Sequence, residues 1–311
     1  MSGANALVEA LRREKTQVVF GLPGGAIMPV YDVFYKMRDL PSERRIRHVL
    51  VRHEQTAAHM ADGYARASGR VGVCMATSGP GATNLVTGIA TAFMDSSPIV
   101  AITGQVPRPF IGKDAFQETD IVGVVTSVTK YAFQPWKASE IPRIVKAAFR
   151  IASTRRPGPV VIDIPRDVQQ ETDVMEFTDQ IIPKRYGPPP DPDPEAVQRM
   201  ADALANAETP LIIAGGGVKI AEASAELIAL AELLMCPVAT SLMGKGCIPE
   251  DHPLSIGVMG MHGSSETNRM VPRADVLLIV GSRLSDRTTG NAEKFCRNSK
   301  ILHIDTDKAE I

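Results

Sequence analysis

Glu54 closes the run Arg52-His53-Glu54, just after a short apolar stretch (Ile46 to Val51). It opens a pattern of helical spacing (Ala57, Met60, Ala61, Tyr64, Ala65) that Gly69 stops. A carboxylate carried to a strand end beside an apolar helix face can be buried enough to have a raised pKa and to share a proton with a ring nitrogen. The ordinary alternatives are an ion pair with Arg52 or a helix-start acid favoured by the macrodipole. A second apolar run, Val71 to Ala76, empties into Thr77-Ser78-Gly79-Pro80-Gly81. A third, Gln17 to Phe20, exits through Gly21-Leu22-Pro23-Gly24-Gly25, whose glycines allow a sharp turn and close approach, or merely a connection. Strand ends and helix starts therefore fall together, and in open α/β sheets ligands bind outside the carboxyl ends of strands.

The elements that must place these residues alternate. Helical stripes run through Ala4, Leu7, Val8 and Leu11, through Ile27, Val30, Tyr31 and Phe34, and over Ala82 to Met94 and Ile141 to Ala152. Between them lie the strand segments Pro98 to Thr103, Thr129 to Phe133 and Pro159 to Ile164. Gly104 to Glu118 reads as a long loop of the kind that carries function. After a proline-rich stretch the alternation resumes: a helix from Pro194, the strand Pro210 to Ala214, Gly215-Gly216-Gly217, a helix to Leu234, then strands at Pro237 to Thr240, Asp275 to Val280 and Lys300 to Ile304. The expected fold is α/β, with two consecutive three-layer α/β/α domains and mostly parallel sheets, at 1–168 and 194–311, joined by a linker at 169–193. The triple glycine suits a dinucleotide pyrophosphate at a helix start, although Ile220 stands where a third fingerprint glycine belongs. Asp305 is placed to accept from a ribose or adenine, or is a solvent-facing turn acid.

With 311 residues, 44% hydrophobic and 22% charged, the chain reads as globular, and its net charge of -1 gives no reason to expect nucleic acid or an anionic membrane as partner. No apolar run approaches the roughly 20 residues of a membrane span. Cys74, Cys236, Cys247 and Cys296 have no C-x-x-C spacing, and the six histidines no metal-ligand pattern. The expected compartment is the cytoplasm, or an organelle if a transit peptide has been removed.

Gly21 to Ala26 (G-L-P-G-G-A), Arg52 to Gln55 (R-H-E-Q) and Ser78 to Asn84 (S-G-P-G-A-T-N) resemble the pyrimidine-binding domain of thiamine-diphosphate enzymes. Gln105 to Glu118, Met243 to Gly246 (M-G-K-G), Met259 to Gly263 (M-G-M-H-G) and Ser285 to Gly290 (S-D-R-T-T-G) narrow the resemblance to large catalytic subunits of acetolactate synthase, across essentially the whole chain. The resemblance implies decarboxylation of pyruvate and transfer of its two-carbon unit to pyruvate or 2-ketobutyrate, in branched-chain amino acid biosynthesis. It places Glu54 at the N1′ atom of the cofactor's aminopyrimidine, with Pro23, Gly25, Ala26, Pro80, Asn84 and Gln117 around the cofactor. Phe116, Arg166, Met261, Asp286 and Arg287 match substrate positions. Arg156, Gly215, Gly216, Gly217, Ser241, Leu242, Met243, Met261, His262, Gly263, Gly281, Arg283 and Asp305 match segments that contact a structural FAD.

Arg166 stands where lysine is common in the family, Ser241 where threonine is, and Ser285 where aspartate is. The family holds Mg2+ and the diphosphate in a third domain through G-D-G…N, and Gly-Asp occurs nowhere here. The resemblance therefore implies no metal ligands in this chain and little activity from it alone. It implies instead a homo-oligomer (dimer or tetramer), a polypeptide bearing the diphosphate and Mg2+ domain, and a small regulatory subunit. A glyoxylate carboligase-like enzyme is the near alternative, but that enzyme has valine where this chain has Glu54. A non-catalytic assembly module and a dinucleotide-dependent oxidoreductase are the alternatives from other classes.

Overall fold

The chain forms two compact units, Met1–Pro188 and Pro189–Ile311. The computed structural model describes residues 1–41, 45–181, 183, 185–189 and 191–311. Ile182, Lys184 and Pro190 of the expected linker lie outside the described residues.

In the first unit, β1 (Val18–Gly21), β2 (Arg47–Leu50), β3 (Gly72–Ala76), β4 (Ile99–Gln105), β5 (Tyr131–Phe133) and β6 (Val160–Pro165) make one parallel sheet in the order β2-β1-β3-β4-β6-β5. The chain leaves β1 toward β2 and returns on the other side at β3, so the sheet's switch point lies between the carboxyl ends of β1 and β3. The helices are α1 (Gly3–Arg13), α2 (Met28–Met37), α3 (Glu54–Ser68), α4 (Pro80–Asn84), α5 (Val86–Met94), α6 (Ile121–Val125), α7 (Ile141–Ser153) and α8 (Arg166–Gln170). Alternation along the strands feeds two cores. Val73, Met75, Val100 and Ile162 pack with α1, α2 and α7, while Cys74, Ala76, Ala101 and Val161 pack with α3, α5 and α6. Small residues bring the second layer close: Gly88 of α5 meets Ala58 of α3, and a Cβ on Gly88 would lie 2.4 Å from that of Ala58.

In the second unit, β7 (Pro210–Ala214), β8 (Val238–Thr240), β9 (Ser255–Val258), β10 (Val276–Val280) and β11 (Lys300–Ile304) form a parallel sheet ordered β11-β10-β7-β8-β9. Its switch point lies between β7 and β10. The helices are α9 (Pro194–Ala205), α10 (Gly216–Ile220), α11 (Ser224–Leu234), α12 (Ser265–Met270) and α13 (Asp286–Thr289).

Four details depart from the sequence pattern. The strand β9 escaped it because Gly257, at φ 84°, and a register shift beside it break the alternation. The helix expected over Ala82 to Met94 is two pieces meeting at Leu85, and the one expected to end at Leu234 breaks near Glu222, at φ 55°. The segment expected as linker from Gln169 begins inside the first unit: Gln169 ends its side chain on Ala26 and Ile164, and Thr172 bridges to Ser2.

One buried charge stands out in the first sheet. Asp163 of β6 is fully buried; the Thr103 hydroxyl donates to Oδ1 (2.6 Å), and the Gln105 and Gln134 amides donate to Oδ2 (3.0 and 2.8 Å). Burial pushes its pKa from 3.8 up to about 6, against the pull of those three bonds. At the opposite, amino-terminal edge of the sheet, a cleft of about 810 Å³ gathers Arg12, Lys15, Arg38, Arg45 and Arg47. There they offset the carbonyl ends of α1 and α2.

Two outcomes follow for stability. Gly88→Val should lower the unfolding free energy by roughly 1–3 kcal/mol in a denaturant titration, because α3 and α5 must part to admit the side chain. For Asp163, the folded pKa lies above the unfolded one, so its contribution is most favourable below about pH 4 and is lost as pH rises through about 6. The wild-type minus Asp163→Asn difference in unfolding free energy should fall by roughly 2.5 kcal/mol between pH 4 and 7. A rise over that range would contradict the burial account.

Candidate active site

Glu54 is the first residue of α3. The extended His53 caps that helix, its Nδ1 accepting the Gln55 N–H (3.2 Å), and left-handed Gly69 ends it. This places the Glu54 carboxylate beside the switch point of the first sheet. It is buried at 8% exposure, and its Oε2 accepts from the Asn84 amide of α4 (2.9 Å). On its other side lies Gly81, where a Cβ would come within 3.3 Å of Oε1. The α3–α4 pair thus fixes one carboxylate oxygen and leaves the other toward a glycine.

Thr77, at the end of β3, joins this carboxylate to the glycine loop after β1. Its Oγ1 accepts the Ala26 N–H (3.1 Å). A Cβ on Gly24 or on Gly81 would meet the Thr77 side chain at 2.5 and 2.7 Å. The Ala26 carbonyl is held from below, accepting from the Gln169 amide (2.8 Å) and lying where a Cβ on Gly104 would be (2.5 Å). Gly25 alone in this loop faces open space, with nothing within 4 Å of an added Cβ. Pro23 and Pro80 are exposed at the rim. A flat ring could enter the space left by Gly25, and the donor set around it (one buried carboxylate, small residues, two prolines) suits an aminopyrimidine.

The Gly104 to Glu118 stretch closes on this crevice. Gln117, at φ 59°, rests its backbone on Gly79, where a Cβ would stand 2.5 Å from the Gln117 carbonyl oxygen. Phe116 beside it is 87% exposed. Arg166 is exposed at the first turn of α8, at the carboxyl end of β6. Arg156, by contrast, lies at the amino-terminal edge, where its Nε donates to Ser96 Oγ (2.9 Å).

Near the crevice Tyr31 carries a phenol held neutral: burial raises its pKa strongly, and the Glu54 charge adds to this. Its hydroxyl lies 3.2 Å from His48 Nε2. Burial pushes the thiol of Cys74 up to about 12, so that side chain behaves as a packed apolar group.

The expected flavin residues of the second unit gather at the carboxyl ends of its strands. Gly215 follows β7, Ser241 follows β8, Gly281 and Arg283 follow β10, and Asp305 follows β11. Gly215, Gly217 and Gly281 touch one another at the switch point: a Cβ on Gly215 would sit 2.1 Å from the Gly281 carbonyl oxygen, and one on Gly217 2.6 Å from Gly281 Cα. Gly216 faces Met243 at 3.1 Å. Ser241 is buried, its Oγ accepting the Gly244 N–H (3.1 Å). Leu242, Met261 and His262 are exposed, and Gly263 packs under Val258. Met261 and Arg287 are brought together by the Met261 N–H donating to the Arg287 carbonyl (2.8 Å). Arg287 also pairs with Asp286 at 3.6 Å, in solvent. Asp305 Oδ1 accepts the Asp307 N–H (2.8 Å).

Sequence reading missed Thr77, Gln169 and Asp163. The last had a visible signal, a lone acid in the apolar run Val160-Val161-Ile162-Asp163-Ile164. Among the described residues, no three His, Cys, Asp or Glu side chains are grouped to hold a metal ion, and no helix is long and apolar enough to cross a membrane.

Comparison with known proteins identifies the family. Residues 1–124 match the N-terminal TPP binding domain of thiamine pyrophosphate enzymes, and residues 197–311 match the central domain of the same enzymes. A probable acetolactate synthase large subunit of Methanocaldococcus jannaschii is 52% identical over 317 aligned residues, which take in all of this chain and 52% of the relative. The acetolactate synthase large subunits of Parasynechococcus marenigrum and Corynebacterium glutamicum are 49% and 47% identical, again over all of this chain and 50% and 49% of their own lengths. The chain spans about half the length of the curated relatives it matches. It belongs to the thiamine pyrophosphate enzyme family, with that family's N-terminal and central domains, and is a homologue of acetolactate synthase large subunits.

Proposed function

We propose that this chain forms the pyrimidine-binding and central parts of an acetolactate synthase catalytic subunit, which joins pyruvate to a second 2-keto acid, pyruvate or 2-ketobutyrate. The observation that carries this reading is the buried Glu54 carboxylate, tied to Asn84 on one oxygen and facing Gly81 with the other. Thiamine diphosphate, when bound, supplies the electron sink that makes loss of carbon dioxide from a 2-keto acid feasible.

The chain's own residues do the rest. Glu54 would hold a proton at the N1′ atom of the pyrimidine, and Asn84 fixes one carboxylate oxygen, which leaves the other for that task. Thr77 and Gln169 hold the Ala26 peptide from both sides, beside the open Gly25, and Ala26 and Pro23 would line the ring. Phe116 and Gln117 form the substrate side. Arg166 offers a planar cation to the 2-keto carboxylate. The diphosphate and Mg2+ need oxygen ligands, which this reading places on a further domain or polypeptide.

The second unit is the proposed flavin site. The glycine contact between Gly215, Gly217 and Gly281 lets two strand ends approach closely at the switch point, and Asp305 lies on the neighbouring strand end. The flavin's role there is structural. A homo-oligomer, dimer or tetramer, and a smaller regulatory subunit complete the assembly; the second is supported by the relatives' description as large subunits.

Glu54→Gln in the assembled, Mg2+-loaded enzyme should lower acetolactate formation by about 10²- to 10⁴-fold, the usual weight of one positioned acid–base group. An unchanged rate would remove Glu54 from the mechanism. Calorimetric titration of the purified chain with FAD should show saturable binding without turnover of NADH. NADH oxidation by the chain would favour an oxidoreductase instead.

A further inference from the structure

We propose that Asp163 is a positioning residue, which acts through Gln105 to hold both ends of the 106–118 loop and so presents Phe116 and Gln117 at the crevice. The inference rests on the proposed function for what the loop does there, but not for how it is held.

The connection is a closed hydrogen-bond circuit. One Gln105 amide hydrogen goes to Asp163 Oδ2 (3.0 Å) and the other to the Thr119 carbonyl (2.8 Å), while its Oε1 accepts the Val106 N–H (2.9 Å). A single side chain thus clips residue 106 to residue 119 across the loop. Its orientation is fixed by the carboxylate, because an oxygen turned toward Oδ2 would leave two acceptors facing each other. Within the loop, Glu118 accepts backbone N–H groups of Gly112, Lys113 and Ala115, which shape it as one piece. That piece rests on Gly79 through Gln117, two residues before Gly81, which faces Glu54. Arg108 holds the outer flank separately, on Asp167 and Glu171 (2.6 Å each).

Stability alone does not account for Asp163. It sits in a strand of buried apolar residues, and a well-packed apolar side chain there would avoid burying a charge. Three donors aimed at two oxygens suit a carboxylate: an asparagine would set its NH2 against two glutamine amides, or turn it to Thr103 and force that hydroxyl from donor to acceptor, and either way the charge that draws all three donors is lost.

The test is hydrogen exchange on the 311-residue chain carrying Asp163→Asn, Gln105→Leu or both. Amides of residues 112–119 should exchange at least about tenfold faster in each single variant, with the double variant no faster than the singles, while β3 and α3 keep wild-type rates. Folded variants with unchanged loop exchange would overturn the proposal. So would acceleration spread equally over β3 and α3, because Asp163 would then serve only general stability. In an assembly that turns over pyruvate, Asp163→Asn should raise KM about tenfold while kcat changes less than about twofold. A wild-type assembly without turnover would defeat the functional reading, and the exchange result would still decide the positioning role.

Discussion

Two parallel strands that diverge from one point leave a crevice at their carboxyl ends, and the first unit is arranged around filling that crevice with a single buried carboxylate. Glu54 reaches it because α3 starts where β2 ends and because small residues let α3 lie close on α5. Asn84 reaches it because Pro80 starts α4 directly after β3. Neither contact survives a shift of one residue, since a helix start displaced by one residue turns its side chain about 100° around the axis.

The glycines divide into two kinds. Gly24, Gly79, Gly81 and Gly104 are small because a neighbouring backbone or Thr77 already fills the space. Gly25 is small where nothing fills it. The first kind builds a rigid frame, and the second leaves the opening that a flat ring needs. In the second unit the glycines at the switch point are all of the first kind, Gly216 being closed by Met243.

Much of this was legible in the amino-acid order. The glycine runs, Arg52-His53-Glu54 and the apolar strands marked the carboxyl edge of the first sheet, since strand ends and helix caps leave local signatures. Gly215 to Gly217 did the same for the second sheet. What stayed hidden was tertiary. Thr77 and Gln169 are ordinary polar residues until the fold sets them on the two sides of the Ala26 peptide, 51 and 143 positions away in sequence. β9 was hidden for another reason: its glycine and irregular register erase the alternation that identifies a strand.

The central claim is that the free oxygen of Glu54 meets the pyrimidine ring and thereby makes the thiazolium C2 proton labile. The most direct measurement is the exchange rate of that proton in enzyme-bound thiamine diphosphate, followed by NMR after a quench from deuterium oxide. Exchange should be at least about a hundredfold slower with Glu54→Gln than with the wild type, at equal cofactor occupancy. Equal rates in the two proteins would contradict the account.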